Sequence, residues 1–116
     1  MLRDTYWAGW TGILYAGPIQ RLFSRVAQVV PVDVDRAAGT SIALGGAVLA
    51  RGQNLAWFPE GALSPDGTLQ PFHAGVGVVV QQHAVPIVPV LIEGSFACWP
   101  IGRRFPPRLG PISVTF

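Results

Sequence analysis

The sequence has no lysine and a single cysteine, and only 12% of its 116 residues are charged, against roughly 25% in an average globular domain. One cysteine excludes an internal disulfide. Cys98 then reads as a small packed thiol, since the base a nucleophile would need is not evident nearby. All eight basic residues are arginines, spread along the chain without a run or an aromatic-interleaved patch, which argues against a nucleic-acid partner. Arginine suits phosphate through its planar fork, although a compositional bias of the gene would also replace lysine throughout. No apolar run approaches the roughly 18–20 residues needed to cross a bilayer. Met1-Leu2-Arg3-Asp4 lacks the pattern of a cleavable leader. No histidine precedes His73. His73 and His83 alone supply no ligand cluster, so no metal is expected. Gly-x-Ser-x-Gly is missing, which removes the nucleophile elbow of an α/β hydrolase.

Apolar residues, by contrast, make up 50% of the chain. That is too many for disorder and suits a buried sheet, a membrane-facing surface or a piece of something larger. The length allows one domain at most.

Residues 6–15 crowd aromatics among glycines. They read as a segment packed against a sheet or as a membrane-contact surface, and the glycines make a poor amphipathic helix. Pro18 opens a helix that puts Ile19, Leu22, Phe23 and Val26 on one face and Arg21, Arg25 and Gln28 on the other. Those arginines read as a solvated face or as headgroup contacts. Val29 to Val34 is a β-branched strand, and Pro31 gives it an edge position or a bulge. Thr40 or Ser41 can cap the next helix, Gly45-Gly46 marks close packing within it, and Gly52 stops it.

Leu55 to Phe58 then runs into Pro59, which has no N–H for a central ladder and so ends the strand. Glu60 and the permissive Gly61 follow. A carboxylate at the end of a buried strand is either presented in a crevice or solvated in an ordinary turn. Ser64-Pro65-Asp66-Gly67 is a turn by its chemistry. Gly75 to Gln82 reads as a buried helix, and the apolar run Ile87 to Ile92 as a strand covered on both faces. A basic, proline-rich loop leads to a last strand from Ser113. Alternating strands and helices give an α/β fold with a mixed, largely parallel sheet and flanking helices.

Phe58-Pro59-Glu60-Gly61, with Ser64, Asp66-Gly67, Pro71-Phe72 and Gly75, resembles the third sequence block of the glycerophospholipid (lysophosphatidate) acyltransferases. Val32-Asp33-Val34-Asp35-Arg36 resembles their second block and Val85-Pro86-Ile87-Val88-Pro89-Val90 their fourth, in the same order. The likeness spans roughly residues 18–100. It departs from the family in two places. The histidine and aspartate of the first block have no counterpart, and Ala62-Leu63 stand where the family carries threonine or arginine and then arginine.

The resemblance implies a single partial acyltransferase domain over 1–116, truncated at both ends. It would move a fatty acyl group from acyl-CoA or acyl-carrier protein, a co-substrate rather than a cofactor, to a lysophosphatidate-like acceptor. The alternative is a catalytically dead lipid-phosphate-binding or scaffolding module. Substrate-binding residues would be Arg36, Phe58, Pro59, Glu60, Gly61 and Ser64, with no catalytic residue within the chain. Arg36 would greet the phosphate, or pair with Asp33 or Asp35 instead. Glu60 would accept from the acceptor hydroxyl or lock an arginine. Val88 and Val90 would line the acyl side or simply pack. The implied setting is cytoplasmic and peripheral on a membrane surface, beside a possible fused domain.

Overall fold

The computed structural model describes residues 4–10, 17–33, 38–103 and 108–116. Arg36 and Asp35, part of the aromatic segment and part of the proline-rich loop lie outside them. In chain order the elements are β1 (Thr5–Trp10), α1 (Pro18–Val26), β2 (Val29–Val32), α2 (Ala38–Leu49), β3 (Asn54–Ala56), α3 (Gly75–His83), β4 (Leu91–Glu93), α4 (Ser95–Cys98) and β5 (Ser113–Thr115).

The aromatic stretch is itself a strand, and it is the middle one. β2, β1 and β3 form a parallel sheet in that order, with Trp7 opposite both Val29 and Ala56. Threonine, tyrosine and tryptophan favour the pleated, half-buried backbone, and that preference outweighs Gly9. Gly9 stands opposite Pro31, which tolerates its missing N–H because β2 is an edge strand.

The sheet is not one mixed sheet, as expected from the sequence. β4 and β5 form a separate antiparallel pair, Leu91 opposite Thr115 and Glu93 opposite Ser113. Nor is the Ile87–Ile92 run a strand covered on both faces. Only its end enters β4, and every residue of β4 is exposed. Pro86 and Pro89 explain this, because each removes a ladder donor and the ladder begins only after the second.

The core is built of small side chains. Ala8, Val30, Val32, Val48, Val79 and Cys98 are its buried apolar members among the described residues, and each buried valine contributes on the order of 1.5–3 kcal/mol. α2 lies against β2, β3 and α3, and its paired glycines permit that approach. A Cβ on Gly45 would come within 2.7 Å of the Trp57 ring, and one on Gly46 within 2.6 Å of the His83 ring. Thr40 and Ser41 do not cap this helix; both lie inside it. Its C-terminal stop is as expected, with Gly52 at φ +71° and its N–H bonded to Leu49 O at 2.9 Å. No helix among the described residues is long and apolar enough to cross a membrane.

Candidate functional site

In an open parallel sheet the strands' carboxyl ends leave a crevice where the strand order reverses. Here the chain steps from β1 out to β2 and returns past β1 to β3, and a cleft of about 310 Å³ lies at those ends. Val32 closes β2 on one side. Trp57, Phe58 and Pro59, just past β3, form another side. Ala38, Ser41 and Ile42 come from the first turns of α2, while Ala74, Gly75 and Val78 come from the start of α3.

Two helix beginnings therefore share one cleft, and neither first turn carries an acidic residue. Their aligned peptide dipoles give the cleft a positive bias without any ionised side chain. The polar groups within reach are few. Ser41 is buried, and its Oγ accepts the Asp33 N–H at 2.9 Å, which ties the end of β2 to α2. The exposed His73 lines the mouth, fixed through its backbone N–H to Pro59 O at 2.8 Å.

The loop after β3 is shaped by its own side chains. Gly61 takes φ +69°, and its N–H turns back to Phe58 O at 3.1 Å. Glu60 is half-buried, and its Oε2 accepts the Gln70 N–H at 2.8 Å, so ten residues of chain close into a loop. Ser64 Oγ donates to Thr68 O at 2.7 Å and accepts the Gly67 N–H at 2.9 Å. Asp66 Oδ1 accepts from the Thr68 N–H at 3.0 Å and the Thr68 hydroxyl at 2.7 Å. The Thr68 N–H foremost, and then its hydroxyl, hold the Asp66 carboxyl below its ordinary value of 3.8, although the group is fully exposed. Gly67 takes the positive φ, +85°, that this turn requires.

Of the residues singled out in the sequence, Phe58, Pro59 and Gly61 line the cleft. Glu60 and Ser64 are not among its lining residues, and their polar atoms bond the loop's own groups. Arg36 lies outside the described residues. Trp57, Ser41 and His73 were not anticipated at the site. Trp57 directly precedes the block and His73 directly follows Pro71-Phe72, so adjacency was the available signal. Nothing in the sequence places Ser41 there. Among the described residues no group of acidic, cysteine or histidine side chains is arranged to hold a metal ion.

Residues 2–93 match the profile of a family described as Acyltransferase. Over 62 residues the chain is 37% identical to a 1-acyl-sn-glycerol-3-phosphate acyltransferase of Limnanthes alba, covering 53% of this chain and 21% of that protein. Over 69 residues it is 35% identical to the enzyme of the same name from Cocos nucifera, covering 60% and 21%. The chain thus spans about a fifth of the length of these relatives. No solved structure matches it.

Proposed function

The chain belongs to the Acyltransferase family, and on that premise we propose that it forms the acceptor side of a glycerol-phosphate acyltransferase site. In the reaction, the acceptor hydroxyl oxygen attacks the thioester carbonyl carbon. The C–O bond forms, the C–S bond breaks, the hydroxyl proton passes to a base and the sulfur leaves as the thiol. The acceptor is a lysophosphatidate-like lipid and the donor an acyl thioester on coenzyme A or a carrier protein. The setting is the cytoplasmic face of a membrane.

One observation carries this reading: a largely apolar cleft at the carboxyl ends of a parallel sheet receives the beginnings of two helices that lack acidic first turns. A phosphate is favoured at such ends, and the apolar walls suit the glycerol and chain. Arg36 stands two positions ahead of Ala38 in sequence and supplies the guanidinium fork. Phe58, Pro59 and Gly61 shape the wall, while Glu60 and Ser64 hold the loop that carries it.

Acyl transfer to a hydroxyl needs a general base, and no histidine stands ahead of His73 within these residues. The isolated chain therefore binds acceptor without turning it over. The test is thioester-dependent acylation of lysophosphatidate by the purified chain, alongside direct binding of lysophosphatidate. Binding without acylation is expected, and robust turnover would show that the base lies inside this sequence. A catalytically dead lipid-phosphate-binding module is the second reading, favoured because the polar atoms of Glu60 and Ser64 already have partners within their loop. An in-frame histidine and aspartate encoded upstream would decide against it.

A further inference from the structure

Helix α1 is inside out. At about 100° per residue, Ile19, Leu22, Phe23 and Val26 span roughly 100° of its circumference. In a surface helix that stripe faces the core. Here those four side chains are 79, 65, 66 and 78% exposed, while Ser24, on the opposite side, is completely buried. The helix rests on the sheet through its small polar side and turns its apolar side outward.

The charges are arranged to match. Arg21 and Arg25 flank the apolar stripe on its Leu22 side, and α1 contains no acidic residue. The stripe offers on the order of 500 Å² of apolar surface, short of the roughly 800 Å² per partner of a standard protein interface. A bilayer boundary has no such minimum. It accepts a short helix lying in its plane, with apolar side chains among the acyl chains and arginines at the phosphates.

We propose that α1 is a docking element for an anionic lipid surface, with Ile19, Leu22, Phe23 and Val26 inserting and Arg21 and Arg25 meeting the headgroups. This deepens the membrane-surface part of the reading above and rests on it. The occupant is a bilayer bearing anionic phosphodiester headgroups.

The test is co-sedimentation of the full chain with vesicles of phosphatidylcholine alone or mixed with phosphatidylglycerol. No lysophosphatidate or thioester is present, so the outcome is separate from that of the acylation assay. The native chain should partition onto the mixed vesicles. Leu22→Ser with Phe23→Ser should lower partition at least about tenfold. Replacing each arginine (R21Q, R25Q) should lower it about fivefold on anionic vesicles only. All six side chains are exposed, so circular dichroism should be unchanged. Vesicle binding untouched by L22S/F23S would overturn the proposal while leaving a membrane partner in place. No binding by the native chain would overturn both. A native dimer made monomeric by L22S/F23S, without vesicle binding, would assign the face to a second copy instead.

Discussion

The carboxylate of Glu60 accepts the backbone N–H of Gln70 at 2.8 Å and so closes the loop whose first residues wall the cleft. The same loop is pinned a second time, by the His73 N–H on Pro59 O. The acidic group of the family-like block therefore acts on the shape of the wall.

Glu60→Ala should loosen this loop by about 1 kcal/mol, a charge-assisted bond discounted for partial exposure. Glu60→Gln keeps an acceptor oxygen and should cost less. Amide exchange at Gln70 checks both, with faster exchange expected in the alanine variant. Unchanged exchange there would mean that the bond does not hold the loop.

Gly45→Ala places a methyl 2.7 Å from Trp57 Cζ3 and 3.2 Å from Leu55 Cδ2. The closer neighbour is a rigid indole ring rather than the end of a flexible chain, so the cost should be about 1–3 kcal/mol. Urea denaturation reads the loss. A shift in Trp57 emission would show that the cleft wall moved with it.

Gly61→Ala forces a side chain onto φ +69°, which costs about 1–2 kcal/mol. Gly52→Ala at φ +71°, where a Cβ would meet nothing within 4 Å, isolates the backbone part of that cost. Thermal unfolding of the two variants should give similar losses. A much larger loss at Gly61 would reveal crowding beside the cleft.

The Asp66 carboxyl lies below its ordinary value because the Thr68 N–H and hydroxyl favour the ionised form. A depressed value in the folded chain adds stability above pH 3.8 that is lost as pH falls through the depressed value. Carbon-13 titration of Asp66 should show the shift, and Thr68→Val should raise the value toward normal. An unshifted Asp66 would remove the turn's hydrogen-bond hub.

What could be read in advance depended on whether local chemistry decided the outcome. Gly52, Gly67 and Pro31 obey rules set by their own backbones, and each stands where those rules put it. A helix read over Gly75 to Gln82 is present as Gly75–His83, but it is not the buried helix expected, since only Val79 in it is buried. The close packing read at Gly45-Gly46 is there, against Trp57 and His83. β1 did not follow from pattern, because glycine among aromatics is ambiguous until its neighbours in the sheet are known. The Ile87–Ile92 run misled for a related reason. Apolar content was read as burial, whereas the prolines within it governed pairing. α1 was legible as an amphipathic helix, but which side faces the sheet is a tertiary fact that periodicity does not carry. At the cleft, the wall residues after β3 were visible as a motif. Ser41 joins them only through the packing of α2 on β2.

Because β1 separates β2 from β3, those two strands have no ladder in common, and within the sheet they are joined only through it. The central strand thus waits for both its partners, the later one more than forty residues downstream. Excising residues 1–10 should abolish the cooperative transition outright rather than shorten it, much as an arch without its centre stone is two leaning piles.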